Sequence, residues 1–314
     1  MFNYIFKRLL YLVLTLVVVV TLTFFLMNSL PGDALQTSTK LLPPEVEQNL
    51  RVKWGLDKPV TERYGIYMKN LASGNFGESM KTPGLTANEI FKDRFPASAR
   101  LAVQAALFAM TIGLTFGIIS SFNRNTWIDY LVIFIAILGV SVPSFVYAAL
   151  LQKYLSGGSL PIIGWPSSEV WTSGFKYTVL PTLALSFGGI ATFSRFMRNS
   201  VLDVKGQDYI LTAEAKGCSK FRIVRKHILR NSLIPIITIA GPYFASLLTG
   251  SFIIERIFVI PGLGEYFVES INGRDYNMIM AMTVLYSVLF IVSLLVVDVL
   301  YAVIDPRVKL KGGS

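Results

Sequence analysis

The chain has 314 residues, 53% of them hydrophobic and only 15% charged, with a formal net charge of +10 and a mean hydropathy of +0.56. Soluble domains carry roughly 25% charged residues, so these proportions exclude a soluble globular chain and indicate an integral membrane protein. The pI near 9.6 does not signal nucleic-acid binding, which asks for a soluble basic domain; the bias of the loops accounts for it.

A membrane-spanning helix needs about 20 mostly apolar residues. Six windows meet or approach that length: Leu9 to Met27, Leu101 to Ser121, Tyr130 to Leu151, Tyr177 to Phe193, Leu233 to Ile254 and Met278 to Val303. The expected fold is therefore an all-α membrane protein with six transmembrane helices. Lys7 and Arg8 before the first window would also suit a signal peptide. Signal h-regions run only about 7–15 residues and no Ala-x-Ala site follows Met27, so the window reads as helix one.

The segment from Pro31 to Pro96 is the largest piece outside the spans. Turn signals at Pro31-Gly32, Pro43-Pro44, Gly74-Asn75 and Pro83-Gly84 divide it, which predicts short helices. Val46, Leu50, Val52 and Leu56 recur near helical spacing, so a helix is expected there, ending at Gly55 or Pro59. Such a segment would cap the mouth of a pathway, receive a partner, or simply cover helix ends. The fourth window is the weakest, being short and carrying Pro181, Gly188 and Gly189. The fifth carries Pro235, Gly241, Pro242 and Gly250, tolerable where neighbouring helices re-satisfy the backbone.

Between the fourth and fifth windows lies a strongly basic loop. Asp203 to Gly206 reads as a break, Tyr209 to Lys216 as a short helix, and Gly217 as its left-handed terminator. Ser219 is placed to cap a second helix, with Phe221, Ile223, Val224, Ile228 and Leu229 as an apolar stripe and Lys220, Arg222, Arg225, Lys226 and Arg230 around it. Ala213, Ala215 and Gly217 together let a partner's backbone approach closely, so the loop reads as a docking elbow. After the fifth window, Pro261 to Gly264 (PGLG) reads as a tight turn leading into an amphipathic segment with Tyr266, Phe267 and Val268. It is a candidate for an outer gate or a partner footprint through Pro261, Gly262 and Gly264. Asp298 is the one clearly intramembrane ionisable residue, close enough to the interface for a structural role.

Lys and Arg accumulate on the cytoplasmic side of short loops. With the N-terminus inside, the inner segments hold fifteen of them against five acids, Asp129, Asp203, Asp208, Glu214 and Asp305. Both termini are therefore expected to face the cytoplasm. Other chemistries are excluded. No Gly-x-x-x-x-Gly-Lys-Ser/Thr occurs, so no ATP-cradling loop is encoded. A single histidine, His227, and a single cysteine, Cys218, rule out paired-histidine zinc sites and intrachain disulfides. A proton- or ion-driven carrier would show midplane ionisable groups and an internal repeat, and neither is evident. A scaffold that merely recruits a cytosolic partner through the loop is the other alternative.

The stretch TAEAKGCSKFRIVRKHILRNSLIP, from Thr212 to Pro235, resembles the EAA loop of permease subunits of ATP-binding cassette (ABC) importers, in the branch serving oligopeptides, dipeptides and nickel. The resemblance extends along most of the chain, through FFLMNSLPGD, WGLDKP (Trp54 to Pro59), GNFGES (Gly74 to Ser79), SVPSF (Ser141 to Phe145), IERIFVIPGLG (Ile254 to Gly264), RDYN (Arg274 to Asn277) and YAVIDPR (Tyr301 to Arg307). Leu211 stands where the wider pattern has glutamate, and Arg230 where it has proline.

The resemblance implies a type I ABC importer permease fold in a bacterial inner membrane. It divides the chain into helix one (1–30), an extracytoplasmic segment (31–96), a permease domain (97–304) with its coupling loop at 195–231, and a cytoplasmic tail (305–314). It implies a transport subunit that is not itself an enzyme, with no cofactor of its own; ATP and Mg would be held by partners. Those partners would be a second homologous permease, two ATPase subunits and an extracytoplasmic peptide-binding protein, with peptide as solute, oligopeptide ahead of dipeptide, nickel or glutathione. Carried over residue by residue, the ATPase-coupling surface would be Ala213, Glu214, Ala215 and Gly217.

Overall fold

The computed structural model describes residues 2–29, 44–155, 157, 159–166 and 174–304. The turns expected at Pro31-Gly32 and Pro43, the side chain of Asp298 and the tail from residue 305 lie outside the described residues. Helices account for nearly all of what is described; the extended contacts are two isolated bridges, Glu78 with Thr86 and Gly157 with Leu160. Among the described residues, four helices are long and apolar enough to cross a membrane, or up to six if each of two bent pairs is one span.

Contacts divide the chain into two compact units, Met1–Ser98 with Pro261–Ile291, and Ala99–Ile260 with Val292–Ser314. In the first unit, α1 (Phe2–Ser29) is the most apolar span. Much of its surface, including Leu10, Tyr11, Leu14 and Leu22, is exposed, as a lipid-facing helix requires. Its buried Val20 and Phe24 pack with Tyr64, Tyr67 and Leu71 of α3 (Val60–Ala72). α2 (Pro44–Lys53) ends before Gly55, whose φ of +62° lets the chain turn. The next helix, α4 (Ala87–Phe122), opens with a reciprocal cap: Glu89 N–H donates to Thr86 Oγ1 (3.3 Å) while Thr86 N–H donates to the Glu89 carboxylate (2.9 Å), satisfying two amides left over at a helix start. At 36 residues it is about 54 Å long, so its charged first turns lie beyond a hydrocarbon core of about 30 Å.

Two of the short motifs meet in this unit. Asp275 is buried; it accepts from Ser79 Oγ (2.5 Å) and Met80 N–H (3.1 Å), and Asn277 Nδ2 donates to the Glu78 carbonyl (3.0 Å). The stretch GNFGES is thus pinned to RDYN across nearly 200 residues of sequence. Pro261 to Gly264 is not a tight turn: Gly262 is extended at φ −101°, ψ 173°, and caps α13 (Leu263–Gly273). The left-handed turn comes earlier, at Val259 (φ +54°).

In the second unit, α7 (Phe175–Lys205) is the central element. The short fourth window is in fact a 31-residue helix, with Pro181 and both glycines inside it, because neighbours pack closely enough to hold it. A Cβ at Gly117 of α4 would lie 2.6 Å from the Ser194 carbonyl, and one at Gly139 of α5 (Trp127–Ser141) 2.7 Å from that of Phe187. Helix backbones approach that closely only where a side chain is missing. The third window, expected as one span, is broken: α6 (Ser144–Leu155) leaves α5 at 105°. Pro143 cannot supply the amide that would continue the ladder. Two ionisable groups that hydropathy windows do not register, Arg100 and Glu255, are buried at 2% and 0% exposure, Glu255 accepting from Ser251 Oγ (2.6 Å).

Candidate functional site

The basic loop is continuous with α7, which runs through Asp203 to Lys205 without the expected break. The chain turns at Gly206 and Gln207, and α8 (Asp208–Ala215) follows. Its C-terminus closes as the sequence predicts. Gly217 takes φ +73°, and Cys218 N–H donates back to the Ala213 carbonyl (3.2 Å) while Gly217 N–H donates to that of Glu214 (2.9 Å). A left-handed residue just past a helix end lets returning amides satisfy the last carbonyls, and glycine adopts it at little cost.

Ser219 stands at the N-terminus of the next helix, but its side chain makes no capping bond. That helix is irregular, with α9 (Lys220–Arg222), a π-helical stretch Ile223–Leu229 and α10 (Arg230–Ser232) before α11 (Ile234–Gly250). It is bent from α11 by 44°, with α12 (Phe252–Phe258) beyond. Reciprocal bonds anchor it: Ser200 Oγ to the Ser232 carbonyl (2.9 Å) and Ser232 Oγ to the Ser200 carbonyl (3.3 Å).

Helical periodicity sorts the loop residues into two faces. Ala213 points inward, 8% exposed, in a cluster with Met197, Val201, Ile210, Ile223 and Ile228, so its small size is used inside this chain. Glu214, Ala215 and Gly217 are exposed. Alongside them lie two large apolar side chains, Leu211 (61% exposed) and Phe221 (74%), neither of which the sequence pattern assigned to the docking surface. Leu211 is one turn before Ala215 on the same face; Phe221, read from the sequence as part of the buried stripe, is thrown outward where the second helix begins. The outer face of the elbow is therefore apolar and small, rimmed by the exposed Lys216, Lys220 and Arg222.

About two turns before α7 ends at Lys205, Arg198 of that helix forms a two-point pair with Asp129 of α5, Nε to Oδ1 (2.7 Å) and a second nitrogen to Oδ2 (2.7 Å). Asp129 also accepts from Ser120 Oγ at the end of α4 and from Asn125 N–H (3.0 Å), and is 1% exposed. Counted from the sequence as two loop charges, the pair instead clasps three helices where the loop departs. Of the Pro261 to Gly264 residues, only Pro261 is exposed; Gly262, Leu263 and Gly264 are buried, and Leu263 N–H donates to Ser98 Oγ (2.9 Å).

Residues 113–310 match the model of the binding-protein-dependent transport system inner membrane component, and residues 1–102 match its N-terminal counterpart. The chain is 43% identical to the dipeptide transport system permease protein DppB of Bacillus subtilis over 99% of both chains. It is 38% identical to the oligopeptide transport system permease protein OppB of Haemophilus influenzae over 98% of this chain and 100% of that one. Its fold is similar to a solved inward-facing MetNI methionine ABC transporter chain, with a TM-score of 0.56 at 18% identity, over 69% of this chain and 96% of that chain. With family models matched along nearly its whole length and curated permease relatives aligned from end to end, the chain belongs to the inner membrane components of binding-protein-dependent transport systems, as a permease subunit.

Proposed function

We propose that this chain forms half of the translocation pathway of an ATP-driven peptide importer and meets a separate ATPase subunit through Leu211, Glu214, Ala215, Gly217 and Phe221. The observation that carries the reading is the exposed apolar face of the elbow on an otherwise basic loop, in a chain whose relatives are named dipeptide and oligopeptide permeases. Exposed apolar side chains clustered outside the spans mark a surface that a partner covers. Ala213 supports that surface from behind. ATP and Mg are held by the ATPase, since no phosphate-cradling loop is encoded here. A second homologous permease completes the pathway and an extracytoplasmic binding protein delivers the peptide. Both termini lie in the cytoplasm of a bacterial cell, as the loop charges favour. ATP-driven closure of the ATPase pair moves the elbow, and through α7 the pathway alternates between its two openings.

Dipeptides are the second reading of the solute, favoured by the higher identity to the dipeptide-named relative, 43% against 38%. Reconstitution in vesicles tests both. Uptake of dialanine or pentaalanine is expected only when this chain is combined with its second permease, two ATPases and binding protein, and their ratio distinguishes the solutes. Uptake by this chain alone, or none in the full combination, overturns the reading.

A further inference from the structure

Where α5 breaks into α6, the backbone ladder is interrupted. Across the break, Val142 N–H donates to the Leu138 carbonyl (3.0 Å), and the next backbone bonds come from Val146 N–H (3.0 Å) and Tyr147 N–H (3.4 Å) to the Pro143 carbonyl. Pro143 has no N–H to offer Gly139. The carbonyls of Gly139, Val140 and Ser141 are thereby left outside the helical pattern. Beside them lies a cavity of ≈ 390 Å³, walled by the break, by Gly188 and Thr192 of α7, and by Tyr243 of α11. A Cβ built on Gly188 would sit 3.7 Å from the Gly139 oxygen, so that carbonyl faces the α7 wall. Ser144 and Tyr147 add hydroxyls, that of Tyr147 donating to the Leu138 carbonyl (2.7 Å).

The depth of the cavity follows from the helices that form it. Gly139 lies ten residues along α5 from Asp129, and Gly188 ten residues along α7 from Arg198; at about 1.5 Å per residue both lie about 15 Å from that ion pair. That is half of a hydrocarbon core of about 30 Å. Non-helical backbone at such a depth is tolerated only where protein buries it or where it lines a water-filled cavity. Val140, Ser141, Pro143 and Gly188 are exposed, and Gly139, though buried, lines the cavity, so this chain leaves the break open on that side.

We infer that the cavity at the α5–α6 break is a hydrated subsite for the main chain of a passing peptide, whose N–H groups are accepted by the carbonyls of Gly139, Val140 and Ser141. The inference rests on the peptide-importer reading and adds where the solute is held. The lining residues carry no charge, so the site recognises the amide that every peptide shares and leaves side chains unread. A carrier of peptides of varied sequence requires that economy.

The test uses the complete reconstituted importer carrying Gly188→Cys, a hydrophilic methanethiosulfonate reagent, and mass spectrometry to read modification at position 188 separately from Cys218. Modification is expected, and trialanine with the binding protein, at ten times its half-saturating concentration, slows it about tenfold. No modification at position 188 would mean that the cavity faces lipid and overturns the inference. Modification that trialanine does not slow overturns it equally. Trialanine uptake by the unsubstituted importer is measured in parallel; failure there removes the peptide reading, whereas uptake with an unprotected thiol removes the subsite alone. Should Gly188→Cys fail to assemble, Thr192→Cys in the same wall is read by the same criteria.

Discussion

At Gly217 the backbone is left-handed, at φ +73°, and a Cβ built there meets nothing within 4 Å. The two facts separate conformational strain from bulk. Gly217→Ala carries only the left-handed penalty, about 1–2 kcal/mol, and is expected to retain most transport. Gly217→Trp projects a large ring into the space a partner must enter, and is expected to insert normally yet lose transport and permease-stimulated ATP hydrolysis. Normal uptake by the Trp variant would refute the docking assignment. Phe221→Ala tests the residue that the sequence pattern hid. With 74% of its surface exposed, its loss should change stability by no more than about 0.5 kcal/mol, while binding of the ATPase measured by titration weakens. The left-handed glycine was legible because few residues suit that conformation. The direction of Phe221 was not, because a π-helical stretch directly after it shifts the phase of the apolar stripe.

Helices α4, α5 and α7 are joined at the loop end by Asp129, Arg198 and Ser120. Removing one member of a buried ion pair strands the other, typically at a cost of 3–5 kcal/mol; Arg198 is 19% exposed on its side chain, so the lower end applies. Arg198→Met or Asp129→Asn should each lower the thermal midpoint of the detergent-solubilised chain. The double variant Asp129→Leu with Arg198→Met should be milder than either single change, since neither charge is then stranded. A loss in the double variant as large as the sum of the two single losses would show that the pair is not coupled. Outside the spans, Glu78 is held below the usual carboxylate range by the Gly84 N–H (2.6 Å) and then by Lys53 (3.1 Å). A depressed carboxyl stabilises the fold above its unfolded pKa and loses that contribution as pH falls through the folded value. Protection of the Gly84 amide from hydrogen exchange should therefore persist at neutral pH and disappear under acid conditions; protection unchanged in acid would count against the bond. Neither cluster is readable from spacing, because their members are brought together by separate helices or by a returning turn.

Across the whole molecule, composition and apolar runs were enough to establish a helical membrane protein, since a hydrocarbon core demands long apolar segments whatever their order in space. The resemblance of its short motifs to importer permeases likewise agrees with the family to which the chain belongs. Local backbone chemistry determined the glycine that ends α8, whereas the break at Pro143 inside the third apolar window was not read from the sequence and emerged only in the structure. Tertiary packing decided the rest. It extended α7 to 31 residues through Pro181 and two glycines, because close neighbours supply contacts that propensity lacks. It turned Ala213 inward and Ala215 outward, which follows only once one face of α8 has a core to meet. It joined Ser79 to Asp275 and Asp129 to Arg198, and opened a cavity beside the freed carbonyls of α5. Those outcomes depend on which surfaces meet, and a linear order of residues carries periodicity and length but not the identity of the neighbour.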